Sequence, residues 1–303
     1  MSSIPTISVI LPVFNGARYI REALSSIQNQ SFRDFELIVV NDGSTDDVPK
    51  ILKEVADRDA RCRIISRENK GIVFSCNEAL ELARGEYIFR MDSDDVSRPL
   101  RFEKQLSYLQ SNPSCVAVGT KALMIDPDGL PMMEYAMAFG HEEIDAAHLN
   151  GVASMVHPSV AMRRQAVLDV GGYRQNCELA EDLDLWLRLA EIGRLENLPE
   201  VLLEYRQHLG SAGHAKRAKQ LAAARTAVFE AQRRRGLPQQ TQDLVPILPS
   251  DDLVVADLYR KWAWWALLGG HPATARKHAW RAVRLNPTSR DNVKLLISAL
   301  RGR

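Results

Sequence analysis

The first 120 residues alternate short apolar runs with helical stripes, and this alternation limits the possible folds more than any other feature. Residues 7–11 are continuous and rich in β-branched side chains, as a strand buried on both faces requires. Asn15-Gly16 closes that strand. Residues 19–28 place Ile20, Ala23, Leu24 and Ile27 on one helical face. A second strand at 37–40 stops at Asn41-Asp42-Gly43-Ser44. One helix is marked by Ile51, Leu52 and Val55, a short strand follows at 63–65, and a second helix is expected over 72–83. A fourth strand at 87–91 ends at Asp92-Ser93-Asp94-Asp95. Ser97 reads as an N-cap with Pro99 just inside the next helix, whose stripe is Phe102, Leu106 and Leu109. A fifth strand is expected at 116–118. The pattern predicts an α/β fold, a parallel sheet with helices on both faces. Ligands of such sheets bind at the carboxyl ends of the strands. Asn15, Asp42, Asp92 and Asp94 all fall at those ends.

Beyond residue 120 the pattern changes. Asp126-Pro127-Asp128-Gly129 predicts a turn between two extended stretches, hence a hairpin. Strands of mixed direction are expected at 160–162 and 201–205, and a helix over 179–192 carries Leu183, Trp186, Leu187 and Ala190 on one face. From about residue 215 only helices remain, expected at 215–235, 252–268, 272–285 and 289–300. Pro238, Pro246 and Pro249 mark a linker, and residues 252–286 resemble one tetratricopeptide hairpin. The expected division is therefore a domain over 1–214 and a helical tail over 215–303.

A net charge of +1 conceals an asymmetry. Residues 215–303 hold 17 Lys+Arg against 6 Asp+Glu, a net of +11, leaving 22 against 32, or −10, for residues 1–214. Four of the five tryptophans (Trp262, Trp264, Trp265 and Trp280) lie in the basic part. Such a tail is either a solvated helical face over a Trp-rich core or a surface for anionic lipid or a polyanionic acceptor. At 46% hydrophobic and 25% charged residues the composition is globular and excludes wholesale disorder. No apolar run reaches the roughly 18 residues of a membrane span. The first residues show no signal-peptide pattern. Cys62, Cys76, Cys115 and Cys177 are too scattered for a disulfide scaffold or zinc site. A cytoplasmic protein is expected.

Chemistry concentrates at three places. Asp92 and Asp94, alternate residues past a strand, point the same way. Two adjacent carboxylates repel unless a cation or protons compensate. A divalent ion bridging to a diphosphate suits them, because Mg²⁺ and Mn²⁺ prefer oxygen ligands. Asp42 is either a turn residue or a carboxylate that accepts a nucleobase N–H. Glu181-Asp182-Leu183-Asp184 opens a helix, where acids complement the dipole and one of them can serve as a general base. His208 and His157-Pro158 read first as structural. No Gly-x-Gly-x-x-Gly or P-loop follows the first strand, which disfavours dinucleotide and P-loop enzymes.

Taken in order, these segments resemble family 2 glycosyltransferases: 7–15, 36–46, Glu68-Asn69-Lys70-Gly71, 83–95, 181–189 and Tyr205-Arg206-Gln207-His208, spanning about residues 5–212. The resemblance implies a GT-A domain, Rossmann-like and built for nucleotide-diphospho-sugars, with the all-helical extension behind it. It implies an inverting, Mg²⁺- or Mn²⁺-dependent transfer of one sugar from a UDP-sugar to a glycan or lipid-linked acceptor, as in surface polysaccharide synthesis. By position, Pro12, Phe14 and Asp42 would hold the uracil with Asn15 and Asn69 nearby. Asp92 and Ser93 would lie near the ribose or diphosphate, Asp94 would bind the metal, and His208 would approach the metal or the diphosphate. Asp182 would be the base, with Glu181 supporting the acceptor or metal site. No nucleic acid is implied as a partner.

One departure stands out. Many members carry Arg where this chain has Cys76, just before Asn77. Arg90 is a candidate substitute, although strand alternation could point it away. The Gln-x-x-Arg-Trp motif of processive members is absent, which favours single-sugar addition. The rival reading is a non-catalytic nucleotide-sugar or glycan-binding module with an interaction tail. A nucleotidyltransferase would be expected to show a glycine-rich phosphate loop in place of Pro12–Gly16.

Overall fold

The computed structural model describes residues 4–211, 217–238 and 254–302. They fall into two compact units. The first comprises the described residues of Met1–Lys121, Ala136–Leu203 and Lys219–Pro246, and the second those of Ala122–Tyr135, Glu204–Ala218 and Ile247–Arg303. This differs from a boundary at 214/215. The 126–129 turn, the end of the strand before it and the strand after it go with the C-terminal helices, while most of helix 217–234 goes with the first unit.

In the first unit β1 (Ile7–Val13), β2 (Phe35–Asp42), β3 (Cys62–Arg67) and β4 (Tyr87–Arg90) are parallel, in the spatial order β3-β2-β1-β4. Every residue of β1, β2 and β4 is buried. Their β-branched runs therefore fill a sheet covered on both faces. The expected stripe of α1 (Ile20–Gln28) is the buried one, Ile20, Ala23, Leu24 and Ile27. Helices α2 (Val48–Ala56) and α3 (Ile72–Leu82) complete the crossovers. Mixed direction begins beyond β4. The sheet order continues β8 (Ala161–Arg163), β6 (Cys115–Ile125), β9 (Arg194–Arg206) and β5 (Val96–Ser97), with β8 antiparallel to both β4 and β6.

Ser97 does not cap α4 (Arg101–Ser111); the cap position is Leu100, with no side-chain bond. Instead Ser97 lies in β5, buried against Gln30, whose amide donates to the Ser97 hydroxyl at 3.1 Å. A long-range polar contact displaced the local capping preference. Helices α5 (His141–Leu149) and α6 (Arg164–Asp169) were not foreseen, while α7 (Glu181–Leu189) occupies the core of its expected span. Helix α8 (Arg217–Arg234) buries Ala224, Ala227, Val228 and Ala231 against Cys177, Leu183 and Leu187.

The second unit holds α9 (Val255–Leu268), α10 (Pro272–Leu285) and α11 (Arg290–Arg301), close to the expected spans. Pro246, Pro249 and the expected helix start at Asp252 lie outside the described residues. The end of β6 pairs with β7 (Pro131–Glu134) in the expected antiparallel hairpin. Met124 and Met132 from that hairpin join Leu258, Trp262, Ala275 and Leu295 in one apolar cluster. Asp126 in the hairpin turn is fully buried. Its carboxylate accepts from His278 Nε2 at 2.8 Å, from the Lys277 ammonium, and from the Asp128 and Leu130 N–H groups at 2.9 Å each. This network ties the turn to α10. A buried ion group of this kind is expensive to break by removing one partner. All four cysteines are free.

Candidate active site

The site begins where β4 ends. Arg101 of α4, fully buried, donates from Nη2 to the Arg90 carbonyl at 2.8 Å and from Nε to Gln105 at 3.0 Å. The Gln105 amide in turn donates to the Val118 and Ser159 carbonyls at 2.6 and 2.8 Å. Side chains that find every partner rigidify a core. The segment after β4 thus leaves the sheet from a fixed point.

That segment carries Asp92, Asp94 and Asp95, whose carboxylate oxygens lie within 4.8 Å of one another. Asp92 and Asp94 are half-buried and Asp95 is buried. Burial, reinforced by the Asp94 charge, pushes Asp92 upward, and the Arg90 guanidinium opposes this from 2.6 Å. Three converging oxygen donors form a set that suits a hard divalent cation. Asp95 was not among the residues singled out from the sequence, although it follows Asp94 directly. Ser93 touches the first strand's loop: a Cβ added at Gly16 would meet its Oγ at 3.0 Å.

Phe14 projects with half its surface exposed, while Pro12 is buried in β1. Asn15, at φ +51°, is occupied with the β2 loop: its Oδ1 accepts the Thr45 N–H at 2.8 Å, and its own N–H donates to Ser44 Oγ at 3.0 Å.

Asp42 ends β2 and is buried. Its Oδ1 accepts the Lys70 N–H at 2.8 Å and the Arg67 guanidinium, and its Oδ2 accepts the Gly71 N–H at 3.0 Å. Arg67 also pairs with Glu78 at 2.8 Å. A carboxylate offers about four acceptor positions, so one position on Oδ2 is not used by these donors. The Asn69 amide supports the same turn by donating to the Asp42 carbonyl at 2.9 Å. Gly43, at φ +76°, leaves no room for a Cβ, which would lie 2.7 Å from the Asn69 nitrogen. The left-handed conformation and the close approach both demand glycine there.

The acid pair stands at the start of α7. Glu181 Oε2 accepts the Leu179 N–H at 2.7 Å, and Asp182 Oδ1 accepts the Leu183 N–H at 2.7 Å. Leu179 adopts φ +80°, a strained conformation for a branched side chain, directly before the helix. Burial, and then the Asp182 charge, push Glu181 up to about 7. Burial also raises Asp182, which feels the opposing charges of Arg90 and Asp92. The α7 acids and the acids after β4 therefore share one electrostatic environment. Gly71 lies against Glu178, since a Cβ there would meet its carboxylate at 3.1 Å, so the Asp42 turn adjoins the loop leading to α7.

A buried wall backs this region. The His157 ring and the Tyr173 hydroxyl are 2.9 Å apart, and Asn77 exchanges two 2.9 Å bonds with the Tyr173 main chain. His157 opens the turn into β8. His208 belongs to the second unit, where its Nδ1 accepts the Gly210 N–H at 3.2 Å. Among the described residues the three-carboxylate group does not include it.

The family model for "Glycosyl transferase family 2" matches residues 8–171, more than half of the chain. The chain belongs to glycosyltransferase family 2. This glycosyltransferase is 35% identical over 212 residues to "Putative glycosyltransferase EpsE" of Bacillus subtilis, covering 68% of this chain and 75% of that protein. It is 36% identical over 206 residues to "O-antigen biosynthesis glycosyltransferase WbnJ" of Escherichia coli, covering 67% and 80%. Among solved structures it is similar to S. aureus TarS 1-349 in complex with UDP-GlcNAc, with TM-score 0.58, 17% identity and 98% and 92% coverage. The mannosyltransferase PcManGT of Pyrobaculum calidifontis, in complex with GDP-Man and Mn2+, matches with TM-score 0.56, 18% identity and 99% and 81% coverage. These likenesses establish the GT-A fold of the glycosyltransferase, followed by its C-terminal helices. Among the described residues no helix is long and apolar enough to cross a membrane.

Proposed function

We propose that this glycosyltransferase moves one sugar from a UDP-sugar to a hydroxyl of a glycan or lipid-linked acceptor, inverting the anomeric centre, in surface polysaccharide synthesis. The observation that carries the reading is the convergence of Asp92, Asp94 and Asp95 within 4.8 Å, in the electrostatic environment of the Glu181–Asp182 pair. The O-antigen role named for the E. coli relative supports the biosynthetic setting. The UDP-GlcNAc bound by TarS supports the donor class.

In this reading Phe14 and the open position of Asp42 Oδ2 receive the base, with Pro12, Asn15 and Asn69 shaping the turn around it. Asp94, with Asp92 and Asp95, would hold Mg²⁺ or Mn²⁺, and Ser93 would face the ribose or diphosphate. The ion, when bound, supplies positive charge to the departing diphosphate. Asp182 accepts the acceptor's hydroxyl proton. The oxygen so freed bonds to the anomeric carbon as the carbon–UDP bond breaks on the opposite face. One displacement inverts the configuration and needs no carboxylate nucleophile, as in inverting hydrolases. Glu181 holds the strained Leu179 turn, fixing where Asp182 stands. The test is UDP release from a panel of nucleotide sugars with and without Mn²⁺. Release from a UDP-sugar only with the ion is expected, and release from none of them would reject the reading.

The tail is proposed to touch anionic membrane from the cytoplasmic side. On α10 exposed Trp280 lies one turn from Arg276 and Arg284. On α11 exposed Val293, Ile297 and Leu300 alternate with Lys294 and Arg301. Apolar side chains set among cations suit an anionic interface. Co-sedimentation with phosphatidylserine vesicles is expected at low salt and not at high salt. Equal recovery with neutral vesicles would remove the electrostatic part.

A further inference from the structure

Arg90 ends β4 with 2% of its surface exposed, although it carries a full charge. Its main chain is pinned on both sides. The N–H donates to the Val160 carbonyl at 3.0 Å, and its carbonyl accepts Arg101 Nη2 at 2.8 Å. The guanidinium is turned toward the acids. Nη1 lies 2.6 Å from Asp92 Oδ1, and the buried Nε has no hydrogen-bond partner among the described residues. The Cys76 thiol of α3 lies against the same guanidinium. Glu181 and Asp182 at the start of α7 also feel its charge.

We propose that Arg90 is the fixed counter-charge of the acid group, keeping a site built from carboxylates open to an anionic diphosphate. The inference deepens the proposed transfer reaction and rests on it. Asp92, Asp94 and Asp95 converge here, and Glu181 and Asp182 feel the same guanidinium. Arg101, also buried, acts on Asp95, which leaves Arg90 as the cation beside Asp92 and the α7 acids. A guanidinium keeps its proton at any working pH. Buried and pinned, it supplies charge with no reorganisation when the ligand arrives. Cys76 fits this arrangement, since a small side chain on α3 leaves room for a guanidinium reaching over from β4.

The placement predicts opposite effects on two ligands. Arg90→Leu removes a cation from the neighbourhood of the ion and of the diphosphate alike. Mn²⁺ alone, followed by electron paramagnetic resonance, is expected to bind as tightly as in wild type or more tightly. UDP in the presence of Mn²⁺, followed by calorimetry, is expected to bind about tenfold more weakly or worse. Arg90→Lys, which keeps the charge, is expected to retain most of the UDP affinity. The double variant Arg90→Leu with Cys76→Arg, which supplies the charge from α3, is expected to bind UDP better than Arg90→Leu alone. Parallel weakening of Mn²⁺ and UDP in Arg90→Leu would make the residue merely structural and overturn the proposal. Unchanged UDP affinity would overturn it as well. A wild-type chain that binds UDP with Mn²⁺ but releases none from any UDP-sugar would instead reject the transfer reading.

Discussion

Replacing Asp182 with Asn is expected to lower UDP release from a UDP-sugar by about 10²–10⁴-fold, the usual worth of a positioned general base. UDP affinity in the presence of Mn²⁺ is expected to stay within about twofold, because the change removes a step and not a binding contact. The side chain is nearly isosteric, and its Oδ1 can still accept the Leu183 N–H that the carboxylate accepts at 2.7 Å. What is lost is the ability to take a proton. The burial that raises Asp182 also makes it the better base, since a proton is held more firmly in a site that disfavours the charged form. Turnover above a tenth of wild type in Asp182→Asn would move the base elsewhere, with Glu181 the next residue to test.

Asp94→Ala is expected to abolish metal-supported nucleotide binding. A ligand present at 100 times its Kd stabilises a folded protein by about 2.7 kcal/mol. In wild type, UDP with Mn²⁺ is expected to raise the melting temperature accordingly, and in Asp94→Ala the rise should vanish. The two variants separate the steps: Asp182→Asn keeps this thermal shift without turnover, whereas Asp94→Ala loses both. An Asp94→Ala protein stabilised by UDP and Mn²⁺ like wild type would exclude Asp94 as a ligand.

Much of the first unit was legible because strand and helix periodicities differ and the stripes are clean. Ile20, Ala23, Leu24 and Ile27 illustrate this, as does the all-apolar interior of β1. The hairpin at 126–129 was readable from its turn residues alone. Local signals failed where a distant partner decided the outcome. Ser97 looked like a helix cap, but Gln30 claimed it. Helix α5 has apolar residues too sparse to form a stripe, with only Ile144 and His148 buried. The division of the second unit depends on Met124 and Met132 packing with Trp262, which no periodicity reveals.

The sequence placed Asp42, Asp92 and Asp94 at strand ends and the α7 acids at a helix start, because these are local features. It did not show that Asp42 is already held by Arg67 and two main-chain N–H groups. Nor could it decide the direction of Arg90, which depends on which face of β4 meets α3 and α7.

Crowding Asp92, Asp94 and Asp95 within 4.8 Å has a cost that the chain meets before any ligand arrives. Like charges held together by a rigid scaffold work against folding, so the competent enzyme is an uneasy one when stripped of ions. Asp94→Ala, useless for binding, should then melt above wild type in a chelating buffer and below it once Mn²⁺ and UDP are added. In the proposed reading, durability and competence are set against each other at a single side chain.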